Sequence, residues 1–132
     1  MKKQFLAFVF VAMATLFSSN ISFAQSKEQK VTVIDLTQTT SEFNIKGIEL
    51  KPGKYQFRVT NVDVNKDLGF VIQKASDKNN DVMKTAVENS FTTELVSKGK
   101  TQQTGVVELM EGEYVYSCPL NPTPHYKISV KK

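Results

Sequence analysis

The stretch Tyr114–Tyr126, YVYSCPLNPTPHY, holds the chain's single cysteine, Cys118, and its single histidine, His125, with three of the four prolines between them. Tyr114, Tyr116 and Cys118 recur at period two, which places them on one face of a strand. Pro119, Pro122 and Pro124 then fix φ and remove backbone donors, so the chain leaves that strand through a stiff loop. The segment YKISV follows, with Tyr126, Ile128 and Val130 on one face of a last strand. The same alternation turns His125, Lys127 and Ser129 the other way. A thiolate and an imidazole are ligands that soft metals accept. The stretch therefore reads either as a metal-binding loop or as a stiff connection between two strands.

Period two also governs most of the chain upstream. KVTVIDLTQ alternates Val31 and Val33 with Thr32 and Ile34, and EFNIKGIEL carries Phe43, Ile45, a kink or bulge at Gly47, then Ile48 and Leu50. Pro52-Gly53 is a turn signal. YQFRVTN sets Tyr55, Phe57 and Val59 against Gln56, Arg58 and Thr60, and GFVIQ is a short apolar run expected at the centre of a sheet. DVMKTAVENSF places Met83, Val87 and Phe91 at helical spacing behind Asp81 as N-cap, which predicts one short helix. TTELVSKGK predicts a strand ending in a turn at Gly99, TGVVEL another, and MEGEY a tight hairpin through Gly112. Seven or eight short strands at regular spacing define an all-β chain, an antiparallel Greek-key β-sandwich.

The N-terminus reads separately. Lys2 and Lys3 precede the apolar run Phe5–Phe17, and Ser22-Phe23-Ala24 offers small residues for cleavage before Gln25. This is the pattern of a secretory signal peptide over residues 1–24, followed by one domain over residues 25–132. The apolar run is shorter than the ~20 residues of a membrane span, so no span is expected once the leader is gone. The expected location is periplasmic or secreted. The formal net charge of +4 falls to +2 without the two leader lysines. The remaining charges are scattered, with no basic stripe interleaved with aromatics, and no nucleic-acid partner is expected. A lone cysteine in an exported chain has no internal disulfide partner, so it is buried, metal-bound or open to a partner.

Two segments carry a family resemblance. LKPGKYQFRVTNVDVNKDLGFVI, Leu50–Ile72, is similar to the turn, strand, Thr-Asn, loop and strand unit of the cupredoxins, the blue-copper fold. LVSKGKTQQTGVVELMEGEYVYSCPLNPTPHYKISV, Leu95–Val130, resembles that family's C-terminal half, with the Tyr-x-Tyr-x-Cys strand, a ligand loop and a final strand. The resemblance implies a copper held by two histidines, one cysteine and a weak axial methionine. Cys118 matches the family cysteine. The first histidine is expected within Asn65–Gly69, where NKDLG holds none and Lys66 or Asp67 stands near its place. One histidine cannot supply two imidazoles, so a complete blue-copper site within the chain is excluded by counting.

The remaining donors leave alternatives open. Cys118 is a functional thiol at a strand end or a small buried hydrophobe continuing the Tyr114–Tyr116 face. His125 is a copper ligand if the proline loop folds back, or a surface side chain. Met83 could complete a Cu(I) set with Cys118 and His125, since sulfur ligands select Cu(I). Met110 precedes the Cys118 strand at the opposite end of the sandwich, because the run from Tyr114 to Cys118 alone spans about 13 Å by strand rise. No catalytic constellation stands out, and the chain is not expected to be an enzyme. The leading reading is an exported cupredoxin-like binding or accessory module for an unknown protein partner, without a complete copper site. A Cu(I) carrier or sensor anchored by Cys118, and a structural immunoglobulin-like or adhesin-type sandwich, are the alternatives.

Overall fold

Nine strands carry the alternating segments in the computed structural model, which describes residues 30–121 and 123–132. They are β1 (Val31–Thr39), β2 (Glu42–Phe43), β3 (Gly47–Leu50), β4 (Gly53–Asn61), β5 (Val71–Lys74), β6 (Thr101–Gln103), β7 (Val107–Leu109), β8 (Gly112–Ser117) and β9 (Tyr126–Val130). The leader read over residues 1–24 lies outside the described residues. One sheet runs β2-β1-β4-β6, with β7 also on β4; the other runs β3-β9-β8-β5. The two are stacked through one core.

The all-β expectation holds, and the sheets are mixed rather than purely antiparallel. β1 lies parallel to β4, and β3 parallel to β9. The cause is a change of sheet that local alternation does not announce. EFNIKGIEL is two strands, not one with a kink: β2 closes onto β1, and Asn44–Lys46 carries the chain across to β3 in the other sheet. The return through Lys51-Pro52 lands β4 beside β1 in the same direction. MEGEY is a second such crossing rather than a hairpin, because β7 pairs with β4 while β8 pairs with β5 and β9.

The inner faces supply the core. Leu36, Phe57, Val59, Leu68, Phe70, Ile72, Tyr116 and Ile128 are all buried. Phe43, from the two-residue β2, sits at the junction, its ring 5.9 Å from Phe70, 5.3 Å from Tyr116 and 5.9 Å from Tyr126, edge-on to each. Each such side chain contributes about 1.5–3 kcal/mol by leaving water.

GFVIQ forms β5, which is an outer strand of its sheet rather than a central one. Its apolar character has another cause: the segment after the short helix covers its free edge. Val87 N–H donates to the Ile72 carbonyl at 2.8 Å, and Ile72 N–H donates to Ser90 Oγ at 3.1 Å. Helix α1 (Val82–Thr85) starts as expected, with the Asp81 carboxylate accepting from Met83 N–H at 3.0 Å. It ends after one turn because Ala86 bridges Gln73 and Val87 joins β5. Tertiary pairing overrides the helical spacing, and Met83 is left 76% exposed rather than in the core. TTELVSKGK is likewise mostly irregular, tied by bridges from Thr92 to Thr104 and from Val96 to Leu68.

Candidate functional site at the Cys118 end

β4 ends at Asn61, whose side chain is fully buried and organises the loop that follows. Its Nδ2 donates to the carbonyls of Val64, Lys66 and Val96 at 3.2, 3.0 and 3.1 Å. Its Oδ1 accepts from Val64 N–H at 2.8 Å. Its backbone is held as well: Asn61 N–H donates to Lys100 and the Asn61 carbonyl accepts from Gly99 N–H at 2.7 Å. Gly99 takes φ 76°, the left-handed region that glycine enters without strain. These bonds bring the loop back so that Leu68 and Val96 exchange both backbone hydrogen bonds, at 3.0 and 2.8 Å.

This positions Gly69 opposite the end of β8. Gly69 N–H donates to Cys118 Sγ at 3.4 Å. Cys118 N–H in turn donates to Thr123 Oγ1 at 3.0 Å, which folds the proline loop over the strand end. Asn121 ties the same loop to the other sheet by donating to the Thr39 carbonyl at 3.4 Å. Pro119 and Leu120 cover Gly69: a methyl at that position would stand 3.6 Å from the Pro119 ring and 3.9 Å from Leu120 Cδ1. Cys118 is thus only 6% exposed and is part of the core cluster with Tyr114 and Tyr116, on the face the alternation gave it.

The histidine-expected segment meets the cysteine through different residues than Lys66 or Asp67. Both of these are exposed, and Asp67 Oδ1 accepts from Ser97 Oγ at 3.0 Å, away from the thiol. Leu68, fully buried, and Gly69 are the residues turned inward, because the Leu68–Val96 bridge sets the register of this turn. His125 stands exposed just before β9, outside the buried Tyr126–Ile128–Val130 face. Met83 lies on α1, whose end is level with Gln73 and therefore with Val115, three residues before Cys118. That separation is about 10 Å along the strand. Met110 is exposed beyond β7, away from Cys118.

Gln38 is a residue that alternation could have flagged and did not. It continues the inward Ile34–Leu36 face of β1, is fully buried and lies beside Asn61 in the sheet. Neither its amide nitrogen nor its amide oxygen has a hydrogen-bond partner among the described residues. Such a group costs stability, and natural cores hold few of them.

The donor set does not fit a blue-copper centre. Among the described residues no three His, Cys, Asp or Glu side chains gather where they could hold a metal. An aliphatic Leu68 stands where the turn reaches the thiol, and the only imidazole faces outward.

Two stacked mixed sheets, a Tyr-x-Tyr-x-Cys strand end and a backbone N–H on the thiol define a cupredoxin-like fold. The solved structures agree. The chain is similar to auracyanin A, a blue copper protein from the green thermophilic photosynthetic bacterium Chloroflexus aurantiacus, at TM-score 0.60 and 15% identity, covering 77% of this chain and 100% of that one. Auracyanin B gives TM-score 0.60 and 11% identity, covering 80% and 92%. The dithionite-reduced auracyanin of Roseiflexus castenholzii gives 0.56 and 14%, covering 76% and 98%. At these identities the likeness is one of fold. No family model matches the chain, and no curated protein matches it.

Proposed function

We propose that this protein is an exported cupredoxin-like binding or accessory module that uses the blue-copper scaffold without a blue-copper centre. The observation that carries the reading is the state of Cys118. Its sulfur is sealed in the core, accepts a hydrogen bond from Gly69 N–H, and has a buried leucine rather than an imidazole on the adjoining turn. The scaffold's usual ligand positions have become structural, so the thiol braces the two loops instead of offering itself to a metal. The work of the domain is then recognition of a protein partner, with the exposed Pro119, Leu120 and His125 presented on the loop that Cys118 holds. The leader pattern over residues 1–24 supports export. No helix among the described residues is long and apolar enough to cross a membrane.

Titration of the purified protein with Cu(II), followed in the visible spectrum, tests the central point. The expected result is no intense thiolate-to-copper band at any ratio. Such a band, lost in Cys118→Ser, would overturn the reading. N-terminal sequencing of the secreted or periplasmic product tests export and is expected to begin at Gln25.

A further inference from the structure

Every sheet has edges, and an edge with free N–H and C=O groups is a template for another strand. Most edges here are blunted. Val87 and Ser90 cover β5. β3 has four residues, carries Glu49 and is flanked by Lys46 and Lys51. β6 and β7 have three residues each, and Thr93 N–H donates to the Gln103 carbonyl at the margin of β6.

β1 is different. It has nine residues and no proline, and β2 pairs with it only at Gln38 and Thr39. Its one charged side chain, Asp35, is held by Arg58 at 2.6 and 3.0 Å. Gln38 turns its carbonyl to Val62 N–H on the β4 side, whereas Thr37 exchanges bonds with Asn44 on the opposite side. Backbone direction alternates along a strand, so Val31, Val33 and Asp35 aim their N–H and C=O groups away from β4. None of these groups has a partner among the described residues. Val33 is also 46% exposed, an apolar β-branched side chain at the middle of the free run.

We propose that this edge pairs with the same edge of a second copy, antiparallel about a two-fold axis at Val33. In that register Val33 faces Val33, and Val31 faces Asp35 of the other copy. Every free N–H and C=O of the run then meets an acceptor or donor. A two-fold axis normal to the sheet keeps facing side chains on the same side, so the two Val33 side chains meet. An axis at Ile34 would set Val31 against Thr37, whose backbone groups Asn44 already occupies. An axis at Thr32 would run Asp35 past the start of β1. The Val33 axis is the one that satisfies the whole run.

Sedimentation equilibrium of the purified protein tests this. The weight-average mass is expected to rise with concentration toward twice the monomer. Val33→Lys sets two ammonium groups against each other at the axis and is expected to weaken dimerisation about tenfold or more. The register is tested by cross-linking under mild oxidation. In this register the two residue-33 Cα atoms are about 5.5 Å apart, inside the roughly 4.4–6.8 Å that a disulfide spans. Val33→Cys is therefore expected to form a covalent dimer. In Val31→Cys the two thiols sit four residues out of step, about 13 Å apart, and are expected not to. A mass that stays monomeric up to millimolar concentration, or cross-linking of Val31→Cys as fast as Val33→Cys, would overturn the proposal.

Discussion

Asn61→Ala isolates the device that sets the Cys118 end. The amide makes one acceptor bond and shares two protons among three carbonyls, of which that of Val96 belongs to a fully buried residue. Counted as about three net bonds at ~0.5–1.5 kcal/mol each, with the buried Val64 N–H left without its acceptor while the Val96 carbonyl keeps Leu68 N–H, the loss is about 2–4 kcal/mol. That is a large part of the ~5–15 kcal/mol that holds a domain of this size, and it lowers the midpoint of thermal unfolding by about 10–25 °C. Urea unfolding gives the equilibrium loss. Reaction of native Cys118 with a thiol reagent gives the local one. Because Asn61 holds the loop whose end donates to Sγ, labelling is expected to accelerate by more than global unfolding alone accounts for. Asn61→Asp keeps the acceptor for Val64 N–H but loses the three donor contacts, so it should expose the thiol as well. A loss under about 1 kcal/mol, or labelling that follows global unfolding alone, would refute the assignment of Asn61 as the organiser of this end.

Phe43→Ala removes the ring that meets Phe70, Tyr116 and Tyr126, and is expected to cost about 3–5 kcal/mol in urea unfolding, although it lies in a strand of two residues. Tyr116 is fully buried, its hydroxyl donates to the Ile45 carbonyl, and burial raises its phenol above the ordinary value. An unfolded tyrosine titrates near pH ~10, so this contribution is complete below that pH and is lost as pH rises through the folded value. Stability measured from neutral to alkaline pH should fall in the native protein. Tyr116→Phe should be weaker by about 1 kcal/mol at neutral pH yet show a shallower alkaline decline; an unchanged slope would remove Tyr116 from the account.

Much of the architecture was legible from side-chain period alone. The Tyr114–Tyr116–Cys118 face, the buried Tyr126–Ile128–Val130 face and the outward His125 all follow from alternation, which is a property of neighbouring residues. The short helix illustrates the limit. Asp81 caps it as its residue type implies, but Met83, Val87 and Phe91 never form one face, because Val87 is drawn into the edge of β5. The two sheet crossings were equally silent: a chain that leaves one sheet and enters another keeps its period of two, so β2 and β3 read as one strand.

Alternation alone settles most of the strands, though not TTELVSKGK, and counting one histidine settles that the chain cannot complete a blue-copper ligand set within itself. Only the tertiary structure decided which residues meet the cysteine. Lys66 and Asp67 stood nearest the expected ligand position, and the Leu68–Val96 bridge with the Asn61 amide turned Leu68 and Gly69 inward instead. Besides the nearby Asn61 amide, that choice depends on distant partners, Val96 for Leu68 and, 49 residues on from Gly69, Cys118. A local periodicity carries no information about them, because loop register is set where distant backbone groups find their hydrogen bonds.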